Sequence, residues 1–237
     1  MLGASQGIGL AVAESLAAEG ARVAMFARRA EVLEREAARI GALAVPGDLT
    51  RADDLERLVE AAVAAFHGID ILVLNGGGPP PGAAAAMTAA SVTAAVELLL
   101  VPHVRLVGLC LPYLRAARGG RIVAIESTSV KEPIANLALS NAVRPGVVGW
   151  LKTLAREVGP DGITVNTVLP GRIDTERLRA LYGTAGPPPE ALARIPAGRL
   201  GAPAEVAAAV CFLASGPAAY VSGAIVPVDG AMLNGLS

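Results

Sequence analysis

The sequence predicts one α/β domain built on a doubly wound parallel sheet with helices on both faces. Three observations lead there. A chain of 237 residues suits one large open-sheet domain. At 53% hydrophobic and 17% charged, it can cover both faces of a sheet. Above all, short apolar runs without period-two alternation take turns with stretches of helical spacing, which is how parallel strands covered on both faces read.

The strand-like runs come in order as "ARVAMFA" (21–27), "LAVPGD" (43–48), "IDILVLN" (69–75), "GRIVAIES" (120–127), "GITVNTVLPG" (162–171) and "GAIVPVDG" (223–230). Each closes on Gly, Pro, Asn, Asp or Ser. Between them lie "GLAVAESLAAEG", "RADDLERLVEAAVAAFHG", "SVTAAVELLLVPHVRLVGLCLPYLRAARG", the 141–159 run and "APAEVAAAVCFLAS", all with apolar residues at helical intervals. Two Pro/Gly-rich pieces, 76–86 and 182–201, read as loops beyond strand ends. In such sheets those loops form the ligand crevice, and 182–199 reads as its substrate lid.

Several function classes are disfavoured at once. A net charge of −1 gives no electrostatic reason to expect nucleic acid or an anionic membrane as partner. Cys110 and Cys211 sit in apolar helical runs and read as small core residues; with only His67 and His103 besides, no metal site is expected. No apolar stretch reads as reaching the roughly 18 residues that span a bilayer, and no secretory signal precedes the first turn. The expected location is cytoplasmic.

"GASQGIGLAVAESLAAEG" places Gly3, Gly7 and Gly9 in a turn that opens into a helix. Glycines let the backbone turn tightly and approach a pyrophosphate, whose charge then rests on the helix N-terminus. Such a turn should follow a buried strand, yet only Met1 and Leu2 precede Gly3. The first strand is central in a doubly wound sheet, so the sequence reads as starting about six residues late, with two neighbouring strands left short of backbone partners.

Over essentially its whole length the chain resembles the short-chain dehydrogenase/reductase family, a single-domain Rossmann-type fold. "GASQGIG" looks like the family's TGxxxGIG turn, "LNGGG" its NNAG turn and "GRIVAIES" its serine strand. "ITVNTVLPGRIDT" is similar to its PG-x-I-x-T segment, and "YVSGAIVPVDG" to its C-terminal signature. The resemblance implies a nicotinamide dinucleotide held by Gly3, Ser5, Gly7, Ile8 and Gly9 at the pyrophosphate and ribose. It puts Asp48 and Leu49 at the adenine and Asn75 and Gly76 along the adenine ribose. Pro170, Gly171, Ile173 and Thr175 fall at the nicotinamide end. After the second strand "FARR" offers Arg28 and Arg29 and no carboxylate, which favours the 2′-phosphate of NADP over NAD. A solvated loop is the plainer reading of those arginines. The resemblance also implies a small-molecule substrate and a homo-oligomer, tetramer or dimer.

The family's catalytic tetrad is Asn, Ser, Tyr and Lys, the last two spaced as YxxxK. Here the Ser is Ser127, while the Asn, Tyr and Lys positions fall on Leu99, Ser140 and Arg144. Ser140 and Arg144 lie four apart and so share one helical face. An aliphatic hydroxyl is a far weaker acid than a phenol, and Leu99 cannot anchor a relay water. Arg144 can still hold the nicotinamide ribose. Pro145 removes a backbone donor in the first turns of that helix, a further disturbance. A narrower resemblance, to members similar to 3-oxoacyl-carrier-protein reductases with an imperfect tetrad, makes the S-N-x-x-R block a subgroup pattern.

The leading expectation is therefore an NADP-dependent oxidoreductase with a remodelled site, acting on a small carbonyl or alcohol. Ser127 would bind the substrate oxygen, and Ser140 or a lid residue such as Tyr182 would assist protonation. Lys131 and Glu132 could face the cleft, although exposed loop charges are more often only solvated. His103, in a long apolar helix, reads as a core or interface residue. The competing class is an NADP-binding protein without turnover, with a regulatory or scaffolding role. Other chemistries on this fold, such as epimerisation or dehalogenation, have only fold analogy behind them.

Overall fold

A computed structural model describes residues 1–183 and 187–235. The order is α1 (Gly7–Ala18), β1 (Ala24–Ala27), α2 (Ala30–Ile40), β2 (Leu43–Pro46), α3 (Ala52–Phe66) and β3 (Ile71–Asn75). It continues α4 (Ala89–Leu99), α5 (Val101–Ala116), β4 (Arg121–Ile125), α6 (Ala138–Val158) and β5 (Thr164–Pro170). It closes with α7 (Glu176–Tyr182), α8 (Pro189–Ala193), α9 (Pro203–Ala214) and β6 (Ile225–Val228). All six expected strands form, each shorter than its apolar run. α2 lies between the first two strand runs, and α8 lies inside the segment read as loop.

Every strand pair is parallel. β1 pairs with β2, and β3, β4, β5 and β6 follow in that order. The place between β1 and β3 belongs to Met1–Ala4. Leu2 N–H donates to Val73 (3.3 Å), while Phe26 N–H donates to Met1 (3.0 Å) and Ala4 N–H to Phe26 (3.2 Å). These bonds and a parallel bridge from Leu2 to Phe26 join the two parts of the sheet. A cavity of about 310 Å³ lies next to Met1 at the amino ends of β1 and β3, lined among others by Val23, Ala24, Ile71 and Leu106.

Period two along the central strands explains the double winding. On β4, Ile122 and Ala124 join a core with Leu55, Leu99, Leu106, Val147 and Leu151 from α3 to α6. The alternate Val123 and Ile125 join Val12, Leu16, Leu33, Val206 and Val210 from α1, α2 and α9. A strand apolar on both faces needs helices on both.

Two expectations change. The run 91–119 is two helices, interrupted at Leu100 with Pro102 at the start of the second. Together Ala89–Ala116 is 28 residues and, among the described residues, is long and apolar enough to cross a membrane by length and composition. The absence of such a stretch, read from the sequence, is therefore overturned. In this fold the run buries Ala95, Leu99, Leu106, Val107, Cys110 and Leu114. Pro145 does not break α6, which runs through it for 21 residues. The missing N–H leaves one intrahelical bond unmade, and apolar packing of Val143, Val147 and Leu151 holds the helix.

Candidate active site

The glycine turn lies at the carboxyl ends of the strands, where open sheets hold their ligands. Gly3 (φ +59) and Gly7 (φ +55) take left-handed conformations that suit glycine. At Gly9 the constraint is space: an added Cβ would lie 2.0 Å from the Gly3 carbonyl oxygen and 2.9 Å from Asn75 Nδ2. The Asn75 amide braces this turn, donating to the Leu2 carbonyl at 3.2 Å. Gln6 caps α1 without a side-chain hydrogen bond, and no acid occupies the first helical turn. The Gln6 Oε1 is buried without a partner. Free first-turn amides, a positive helix end and an orphaned polar atom fit a dinucleotide's diphosphate. Ser5 is buried in the turn, and half-buried Ile8 packs into the core beneath it.

Beyond β1, Arg28 and Arg29 are exposed and form no ion pair among the described residues. The Asp48 carboxylate accepts from Thr50 N–H and Oγ1, both at 2.9 Å. Its pKa is held below the ordinary value, first by the Thr50 backbone bond and in smaller part by the charge of Arg28. Arg28 and Asp48 therefore share one rim. Leu49 packs against the core.

At the other end, α6 delivers Ser140 and Arg144, and the segment after β4 delivers Glu126, Ser127 and Ser129. Arg144 Nη1 donates to Glu126 Oε2 at 2.7 Å, Nε to Ser140 Oγ at 3.1 Å and Nη2 to the Gly77 carbonyl at 2.8 Å. Ser140 Oγ and Ser129 Oγ share a hydrogen bond at 3.2 Å. Ser127 Oγ accepts from Ser129 N–H at 3.1 Å. Asn141 fixes the adjoining loop by two bonds to the backbone of Ile134. Below lie Leu99 and His103, both 0% exposed; a Cβ on Gly76 would meet His103 Nε2 at 3.5 Å and Leu99 Cδ2 at 3.7 Å. Burial, and then the positive charge of Arg144, lower the His103 pKa to about 4, so its ring is neutral. Burial pushes the Glu126 carboxyl up while Arg144 pulls it back.

The 170–177 segment closes the crevice. Gly171 N–H donates to Val228 at 3.0 Å, and Ile173 is buried in a bridge to Gly201. Thr175 caps α7 and sets its methyl 3.4 Å from where a Cβ on Gly7 would be. The turn and this segment thus face each other across one site.

A family model described as enoyl-(acyl carrier protein) reductase matches residues 3–232. The chain belongs to the short-chain dehydrogenase/reductase family. A 3-oxoacyl-[acyl-carrier-protein] reductase of Vibrio cholerae is 37% identical over 232 residues, covering 97% of this chain and 94% of that one. Among solved structures, YwfH, an NADPH-dependent reductase involved in bacilysin biosynthesis, superposes with a TM-score of 0.94 at 25% identity, covering 99% and 97%. An NADPH-bound short-chain oxidoreductase of Pseudomonas aeruginosa, described as containing an atypical catalytic center, gives 0.92 at 30% identity, covering 99% and 95%.

As a short-chain dehydrogenase/reductase, the chain gathers Ser127, Ser140 and Arg144 in one cluster and Gly3 to Gly9 with Thr175 in another. Two of the expected cofactor residues are engaged by the protein itself. Asn75 turns its amide to the glycine turn, and Arg144 already has a protein acceptor on each of its three nitrogens. Glu132 accepts from the Asn234 backbone at 2.7 Å and ties down the C-terminal segment. The Tyr182 side chain lies outside the described residues. Sequence reading missed Glu126, Ser129 and Arg177. For Glu126 a signal existed: a carboxylate ending an apolar strand needs a buried cation.

Proposed function

We propose that this short-chain dehydrogenase/reductase is an NADP-dependent oxidoreductase of small carbonyl compounds and alcohols, working through serines where the family pattern has Tyr. The observation that carries the reading is the hydrogen-bonded chain Ser127, Ser129, Ser140 and Arg144 at the end of the crevice opposite the unpaired Arg28. NADPH, when bound, supplies hydride from its nicotinamide ring. Because Ser127 Oγ accepts from a backbone N–H, its own proton is free for the substrate oxygen. That bond strengthens as charge develops on the oxygen. Ser140 Oγ accepts from Arg144, and accepting from Ser129 as well stabilises its alkoxide and sharpens its acidity. Ser140 then passes a proton to the oxygen, completing the alcohol. A hydroxyl remains a weak acid beside a phenol, so turnover is expected to be slow.

The test is a single turnover of deuterated NADPH against a panel of aldehydes and ketones. Deuterium on the product carbon supports the reading. Tight NADPH binding with no transfer to any member sinks it. A cofactor-binding role without turnover draws on one observation: Glu126 pairs with Arg144, so the cation beside Ser140 brings little net charge to bear on it. We also propose self-association, supported by Phe212 at 52% and Tyr220 at 103% exposure.

A further inference from the structure

We infer that Arg177 is the counter-charge for an oxyanion on the substrate, so that the preferred substrates are carbonyl compounds bearing a carboxylate or a similar group. The inference rests on the oxidoreductase reading above and adds a substrate class to it. Although Arg177 as a residue is exposed, its guanidinium lies against Gly78. A Cβ on that glycine would be 2.0 Å from Nη2 and 2.1 Å from Nη1. The neighbouring Gly77 carbonyl takes the bond from Arg144, so two guanidinium groups converge on one short loop. Burial, and next the charge of Arg144, hold the Arg177 pKa below its ordinary value.

Among the described residues Arg177 has no hydrogen bond and no ion pair. Glu176, next to it in the chain, is exposed in the first turn of α7 and forms no ion pair with it among the described residues, and Asp174 is held by Arg179 through two bonds of 2.9 Å. Glu126 is paired with Arg144, and His103 is neutral. The cluster of Arg144, Arg177, Glu126 and His103 therefore carries one uncompensated positive charge at the reaction end of the crevice. A cation partly withdrawn from water and without a partner gains when a ligand's oxygens complete it. Arginine is suited to that task, since its planar fork matches the two oxygens of a carboxylate. The cofactor's diphosphate shares the same chemistry, but the uncapped N-terminus of α1 at the glycine turn is suited to receive it. Arg177 is grouped instead with Arg144, whose Nε holds Ser140.

The experiment compares 2- and 3-oxo acids with their methyl esters, in turnover and as ligands that shift the melting temperature of the NADPH complex. Wild type is expected to favour the acids by about 10- to 100-fold in kcat/KM, and acids alone should raise the melting temperature. Arg177→Gln should erase both preferences, and Arg177→Lys should keep part of them. Gly78→Ala, which leaves the charge in place but puts a methyl where the guanidinium lies, should weaken acids more than esters. Equal affinity for acids and esters in wild type overturns the inference. So does an Arg177→Gln protein that loses NADPH and NADH affinity alike while its acid-to-ester ratio stands, because that places Arg177 on the diphosphate. If no substrate is turned over but the acids still bind through Arg177, the oxidoreductase reading fails and this inference survives.

Discussion

Arg144 Nη1 meets Glu126 Oε2 at 2.7 Å in a pair whose side chains are 7% and 0% exposed. Where the family pattern has a lysine, this protein has a cation whose charge is largely answered from beneath. Arg144 donates through its other nitrogens to Ser140 Oγ and the Gly77 carbonyl.

Removing either partner of this pair strands a buried charge. Glu126→Leu and Arg144→Met are each expected to destabilise the fold by about 3–5 kcal/mol, whereas the double substitution should come close to wild type. Urea unfolding of the four proteins reads the coupling. Additive effects would mean that the pair is not a unit. Ser140 loses its Nε donor in both Arg144 variants, so turnover should stay low even where stability returns.

The glycine turn predicts a sharp contrast between two substitutions. A methyl at Gly9 collides with the Gly3 carbonyl group, 2.0 Å from its oxygen and 2.7 Å from its carbon, and this backbone cannot give way as a side chain would. Gly9→Ala should lower stability by about 1–3 kcal/mol and weaken NADPH and NADH together. At Gly76 the nearest atom would be 3.5 Å away, an ordinary contact. Gly76→Ala should therefore bind the cofactor as wild type does. Fluorescence titration of both nucleotides separates the cases.

The six strands were legible because parallel strands covered on both faces show unbroken apolar runs, and the glycine turn because its spacing reflects backbone constraints. The break at Leu100 was hidden, since the residues on either side of it are equally apolar, with Pro102 the only local signal. The pairing of Glu126 was hidden for a different reason. Its partner lies 18 residues further along, on another element, and no local pattern joins a strand end to a helix face. The position of Arg177 over Gly78 depends on how α7 sits on the loop after β3, which nothing in the sequence specifies.

His103 makes the fold sensitive to acid. Neither ring nitrogen has a hydrogen-bond partner, although Nδ1 faces Glu126 Oε1 at 3.8 Å, and the folded pKa is about 4 against an ordinary 6.5. For a base with a lowered folded pKa, the unfolded chain binds the extra proton first. Its contribution is therefore complete above about pH 6.5 and is lost as pH falls toward 4, by about 3 kcal/mol in all. Melting temperature measured across that window should drop steeply for wild type. His103→Leu should flatten this part of the profile, and an unchanged slope would place the acid sensitivity elsewhere.

Cofactor choice is expected to turn on Arg28. It is exposed and free of ion pairs among the described residues, and its charge is felt by Asp48 on the same rim. A 2′-phosphate beside it gains a charge-assisted bond, whereas the 2′-hydroxyl of NADH gains little. The site is open to water, so the gain is modest and falls with added salt. Arg28→Ala should weaken NADPH about 10-fold at low salt and leave NADH nearly unchanged. Removing Arg29 as well should deepen the loss, because the second guanidinium adjoins the first in the chain. Dissociation constants for both nucleotides at low and high ionic strength check the claim. If NADPH and NADH weaken equally, the 2′-phosphate lies elsewhere and the charge argument for NADP falls.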